Sequence, residues 1–256
     1  MILDEIVEFK RKEVAQAKAE VSLAKLKEKL AKKELEASTS FKENLKEEGV
    51  SIISEVKKAS PSKGVIKANF APVEIAKEYQ AGGASAISVL TDENFFQGKL
   101  EYLTEIKKAV DLPLLRKDFI IDAYQLYQSK LAGANAVLLI VAVLEDELID
   151  FIDLAAELGL EVLVEVHNRA ELEIAQAVGA EIIGINNRNL QDFSVDIENS
   201  IKLSQLIDSD KVIIAESGIK TKADIDYLKE SVDGFLIGES LMRSENIQAK
   251  LNELIE

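Results

Sequence analysis

From residue 50 onward the chain repeats one pattern eight times: a short apolar run, a turn, then a longer amphipathic stretch that commonly stops at glycine. The apolar runs lie at 51–55, 86–90, 114–117, 136–140, 161–165, 182–185, 212–215 and 234–237. Most lack strict two-residue alternation, as expected of strands buried on both faces, and parallel sheets covered by helices need such strands. The amphipathic segments lie at 72–81, 99–110, 122–131, 145–158, 168–178, 197–207, 221–231 and 245–255. Several open on a capping signal: Asp122 with Gln125, Asn168 with Glu171, Thr221 with Asp224, and Pro72 at a first turn. Three joints echo one another, at Gly83-Ala84-Ser85, Gly133-Ala134-Asn135 and Gly179-Ala180-Glu181. A left-handed glycine stop followed by a small residue makes a compact helix-to-strand turn. Eight such units predict an α/β fold of the (β/α)8 TIM-barrel class. An open doubly wound sheet would carry Gly-x-Gly-x-x-Gly after its first strand, and none is present.

The first 49 residues read differently. They contain no Pro, no Gly before Gly49, and equal numbers of acidic and basic side chains. Helical spacing at Ile2/Ile6/Val7 and Leu23/Leu26/Leu30 predicts two helices, an N-terminal extension (1–49) to the eight units of 50–256, all one domain. The formal charge of −15 therefore falls on residues 50–256. That balance, with no long Lys/Arg block, argues against nucleic acid as a ligand. With no Cys and one His, a thiol nucleophile, a disulfide framework and a His-rich metal site are excluded, and no metal is expected. The longest apolar run, 136–144, is too short to span a bilayer, and the amino terminus lacks the apolar core of a signal peptide. The expectation is a cytoplasmic protein without a membrane role, monomeric or weakly dimeric.

In a barrel, reacting groups sit at the carboxyl ends of strands. Polar residues of catalytic type recur there. Glu55 and Lys57 share a face at the end of the first strand, Lys117 ends the third, Glu165 the fifth, Asn186 the sixth, and Glu216-Ser217-Gly218 follows the seventh. Singly each is an ordinary charged strand end; together they form a candidate acid–base constellation. Ser217-Gly218-Ile219 and Ile237-Gly238-Glu239-Ser240 occupy the positions where barrels hold phosphate, with backbone N–H groups that glycine lets an anion approach. The turn-rich segment 57–64 suits a loop that closes over substrate. Its Ser60-x-x-Lys63 matches the β-lactamase nucleophile pattern but lacks the Lys-Thr-Gly partner and the architecture. His167 reads as an ordinary loop histidine beside the Asn168 cap. Phe95, Phe96 and Phe119 adjoin strand ends, as core or as the wall of an apolar subsite.

The motifs Ser54-Glu55-Val56-Lys57-Lys58-Ala59-Ser60-Pro61-Ser62, Arg116-Lys117-Asp118-Phe119, Leu163-Val164-Glu165-Val166-His167, Gly184-Ile185-Asn186-Asn187-Arg188-Asn189-Leu190 and Ala215-Glu216-Ser217-Gly218-Ile219 occur in order along the chain. Together they resemble the indole-3-glycerol-phosphate synthase family, over nearly the whole chain including the helical extension. The resemblance implies decarboxylating, dehydrating ring closure of 1-(2-carboxyphenylamino)-1-deoxyribulose 5-phosphate, with no cofactor. It implies Lys117 as general acid, Glu165 in proton removal or dehydration, and Lys57 as a partner for substrate anions and a second acid. Glu55 would orient Lys57, Asn186 and Ser217 would position hydroxyls, and Arg188 would contact a carboxylate or brace its loop. It further implies phosphate on the backbone of Gly218, Gly238 and Glu239, an aryl slot of Phe96, Phe119 and Leu138, and a carboxylate held by Ser60 and Ser62. Two other classes fit the same residues: a Schiff-base aldolase or other sugar-phosphate enzyme, and a noncatalytic barrel that binds sugar phosphates or a partner enzyme.

Overall fold

All eight apolar runs form strands, and hydrogen bonding closes them into a parallel barrel. The computed structural model describes residues 2–33, 39–190 and 192–256. The barrel strands are β1 (Ser51–Val56), β4 (Ala86–Leu90), β5 (Leu114–Lys117), β6 (Ala136–Ile140), β7 (Glu161–Val166), β8 (Ile182–Asn186), β9 (Val212–Glu216) and β10 (Gly234–Ile237), with β10 pairing back onto β1. A two-stranded hairpin of β2 (Ala59–Ser60) and β3 (Gly64–Val65) follows β1. The three helix-to-strand glycines Gly83, Gly133 and Gly179 have φ of +85°, +96° and +76°, the left-handed stop that their sequence echo predicts.

The outer ring contains α4 (Pro72–Ala81), α5 (Leu100–Lys107), α6 (Ala123–Ala132), α8 (Leu148–Glu157), α9 (Arg169–Ala177), α10 (Glu198–Ser204), α11 (Lys222–Leu228) and α13 (Ile247–Ile255). Thr221 and Asp224 form a complete capping box, and Asn168 Oδ1 accepts from Glu171 N. Two short helices lie outside the predicted segments: α7 (Val141–Leu144), in the run that reads only as apolar, and α12 (Glu239–Arg243), directly after Gly238.

Strand side chains alternate between two cores. Outward residues such as Ile52, Val89, Val137, Val164 and Ile183 pack against the helices. Inward residues Ile53, Leu115, Leu163, Ile214 and Leu236 fill the barrel. One layer nearer the carboxyl ends, the inward positions become Glu55, Lys117, Glu165, Asn186 and Glu216. The same period of two that buries the apolar layer therefore aims the polar layer into the mouth.

The N-terminal segment contains three helices among the described residues where two are expected: α1 (Ile2–Glu20), α2 (Leu23–Lys32) and α3 (Phe41–Leu45). Five residues are too few to display helical periodicity, which is why α3 escapes the sequence pattern. It plugs the amino-terminal end of the barrel. Phe41 and Leu45 are almost wholly buried among the inward residues, and Glu161 accepts from Phe41 N (3.0 Å) and Lys42 N (2.6 Å). Phe41→Ala empties that plug and is expected to cost about 3–5 kcal/mol. Guanidinium unfolding measures it; a loss below about 1 kcal/mol would mean that the barrel floor collapses around the gap.

Candidate active site

The polar layer opens into a cavity of about 590 Å³ at the carboxyl ends of the strands, within the usual size for a small-molecule site. Its lining includes all fifteen candidate residues: Glu55, Lys57, Ser60, Ser62, Phe96, Lys117, Phe119, Leu138, Glu165, Asn186, Arg188, Ser217, Gly218, Gly238 and Glu239.

 Ile2, Leu3 and Ile6 of α1 border it as well, a contribution that the sequence pattern of the extension does not reveal.

Lys117 stands at the centre. Its Nζ is 2.6 Å from Glu216 Oε2 and 3.4 Å from Glu165 Oε2, so the strand-end groups of β5, β7 and β9 meet at one point. Burial works against its charge, but Glu216, Glu165 and Glu55 outweigh that cost and raise the Lys117 pKa. The two carboxylates move in opposite directions. Burial pushes both up, yet Lys117, His167 and the Asn186 side chain (Nδ2 to Oε1, 3.1 Å) hold Glu165 below the ordinary carboxylate range. Glu216 has Lys117 but also the neighbouring charge of Glu165, and its Oε1 is buried with no hydrogen-bond partner among the described residues. Burial therefore prevails, and its pKa is pushed up to about 7. Gly184 makes room for it, since a Cβ there would meet Glu216 Oε1.

The sequence includes Glu216 in the strand-end constellation and assigns it no individual role. The available signal was its place at the inward end of β9, in register with Asn186. His167 lies in the loop between β7 and α9, as the sequence reads, but it is largely buried and paired there. Its side chain is 13% exposed, with Nε2 3.2 Å from Glu165 Oε1 and Nδ1 3.0 Å from Glu171 Oε2. Burial lowers its pKa, but the two carboxylates prevail and raise it to about 10. A raised folded-state value stabilises the fold below the ordinary 6.5 and loses that contribution as pH rises toward about 10. The melting temperature is accordingly expected to fall across that window, and His167→Gln to flatten the decline. Parallel wild-type and variant curves would remove the assignment.

The mouth is also bordered by the two glycine turns that follow β9 and β10. Ser217 and Gly218 are both left-handed, with φ of +65° and +90°. A Cβ at Gly218 would sit 2.6 Å from Val195 Cγ1. Gly238 leaves space in which Glu55 and Lys57 pair, and a Cβ there would come within 3.0 Å of Lys57 Nζ. The Glu239 carboxylate is tied to Arg243 Nε (2.9 Å), which occupies the acid on its own short helix. Arg188 braces its loop, donating to Phe193 O (3.1 Å), while Asn186 Oδ1 accepts from Arg188 N (3.0 Å). Phe96 and Phe119 face each other with ring centroids 6.1 Å apart, beside Leu138. The hairpin carrying Ser60 and Ser62 is tied to this wall through Ala59 N to Phe96 O (3.2 Å).

A family model described as indole-3-glycerol phosphate synthase matches residues 3–254. A relative of that name from Endomicrobium trichonymphae is 52% identical over 256 residues, covering 99% of each chain. Another from Chlorobium chlorochromatii is 51% identical over 258 residues, covering 99% of this chain and 98% of the relative. Among solved structures, a 3-hexulose-6-phosphate synthase aligns with a TM-score of 0.65 at 15% identity, over 80% of this chain and 98% of its own. A thiamine phosphate pyrophosphorylase from Pyrococcus furiosus aligns with a TM-score of 0.61 at 19% identity, over 80% and 93%. At such identities these two speak to the barrel alone.

Proposed function

The chain belongs to the indole-3-glycerol phosphate synthase family, and from that premise we propose how its mouth closes the indole ring of a carboxyphenylamino-deoxyribulose phosphate. The observation that carries the reading is the Lys117 ammonium held between Glu165 and Glu216, with an aryl slot on one side and an anion cradle on the other.

The aryl carbon bearing the carboxylate attacks the ribulose carbonyl carbon. As that bond forms, negative charge grows on the carbonyl oxygen and Lys117 delivers a proton to it. Loss of CO₂ returns the electron pair to the ring. The new hydroxyl then leaves as water while the adjacent ring carbon gives up a proton. Glu165, kept ionised, suits the base; Glu216, half protonated near pH 7, suits an acid for the departing hydroxyl. Lys57 lies beside Gly238, which favours the phosphate and its neighbouring hydroxyls as its partners. Asn186 and Ser217 line the same floor and are assigned to hydroxyl positioning, with Ser60 and Ser62 assigned to the substrate carboxylate.

A Schiff base requires the free amine, and the raised pKa of Lys117 opposes it. The exposed large apolar side chains, Phe9, Val65, Ile149, Ile174, Val195, Leu206 and Tyr227, are spread over separate elements, which supports a monomer or weak homodimer. The reading is tested with purified protein and the ribulose substrate, following indole fluorescence and CO₂ together. Equal yields of both, with no lysine adduct after borohydride, are expected; a borohydride-stable adduct or indole without CO₂ would overturn it.

A further inference from the structure

Lys10 of α1 is a lysine with a fully buried side chain, outside the barrel and away from the reacting groups. Its Nζ is 2.8 Å from Asp118 Oδ1, 2.9 Å from Asp92 Oδ2 and 2.9 Å from Glu13 Oε2. Burying an ammonium is costly, and only such a set of carboxylates makes it tolerable. Burial lowers its pKa, but Asp118, Asp92 and Glu13 prevail and raise it.

The two aspartates have second tasks. Asp92 Oδ1 accepts from Phe95 N (2.8 Å) and Phe96 N (3.2 Å). Asp118 Oδ1 accepts from Phe119 N (2.8 Å), and its Oδ2 accepts from Thr91 Oγ1 (2.6 Å) and Arg116 Nη2 (2.9 Å). Phe96 and Phe119 are the facing rings of the apolar slot. The extension grips the same loop a second time, through the edge-on contact of Phe9 with Phe95 at 5.6 Å.

We propose that Lys10 is a positioning residue for the aryl slot: by holding Asp92 and Asp118 together it fixes the backbone from which Phe96 and Phe119 project. The inference rests on the slot assignment made above. Its mechanism is electrostatic. Without the ammonium, Asp118 keeps Arg116 while Asp92 loses the charge that balances it, and the uncompensated carboxylate is drawn toward water and off the Phe95 and Phe96 amides.

The test separates ring binding from anion binding. Calorimetric titration with anthranilate probes the slot, and titration with inorganic phosphate probes the cradle. Lys10→Met is expected to weaken anthranilate about tenfold and to raise KM by a similar factor, with kcat changed less and phosphate affinity unchanged; tenfold corresponds to one moderate interaction. Asp92→Asn leaves Lys10 paired with Asp118 and Glu13, so the fold survives if Lys10→Met does not, and a weaker loss of the same selectivity, about threefold, is expected. Anthranilate affinity equal to wild type in the folded variants, or a parallel fall in phosphate affinity, overturns the proposal. Phe119→Ala distinguishes the underlying reading: unchanged anthranilate binding in that variant would mean that the slot itself is misassigned.

Discussion

Lys117→Met is expected to lower kcat/KM by about 10⁴-fold while leaving the barrel folded, the largest effect of any single substitution in this protein. General acid catalysis contributes about 10²–10⁴, and electrostatic stabilisation of a developing oxyanion about 10²–10³, but the two act through one ammonium and do not multiply fully. The variant also leaves Glu165 and Glu216 facing each other without the charge between them, so one of them takes up a proton. Steady-state indole fluorescence measures the loss, with a thermal melt to verify the fold. A folded variant within tenfold of wild type would remove Lys117 from the chemistry.

Glu165→Gln is expected to separate the two halves of the reaction. The amide keeps the shape of the carboxylate and its reach to Asn186, but it cannot accept a proton. In the proposed reaction ring closure and CO₂ release depend on Lys117, whereas loss of water needs the base. In a single turnover the variant should release CO₂ at a rate near that of wild type and form indole about 10²–10³-fold more slowly, the scale of a lost general base. A quenched-flow experiment following both products reads this directly. If CO₂ and indole slow together, Glu165 acts in ring closure and the division of labour fails.

Both expectations depend on neighbours that no local window of sequence contains. Lys117, Glu165 and Glu216 are separated by 48 and 51 positions, yet each was visible as an inward residue at the end of an apolar run. Strand periodicity carries that information, because the side chain of every second residue points the same way. What periodicity does not carry is which of two carboxylates keeps its proton. Glu165 and Glu216 look alike in sequence; His167 and Asn186 beside one, and a buried unpartnered oxygen on the other, set them apart. His167 itself reads as an unremarkable loop residue until Glu171, one turn into the following helix, is brought against it.

The eight βα units, the left-handed glycine joints and the ring of polar strand ends are legible in the sequence, since each is written in spacing over a few residues. The short plug α3, the entry of Ile2, Leu3 and Ile6 into the mouth, and the grip of Lys10 on Asp92 and Asp118 emerge from the folded arrangement alone. The Phe41 contact with Glu161 spans 120 positions, and Lys10 reaches Asp92 and Asp118 far along the chain, with no repeat to announce them. Their energies come from burial and charge pairing that exist only once the chain has closed on itself.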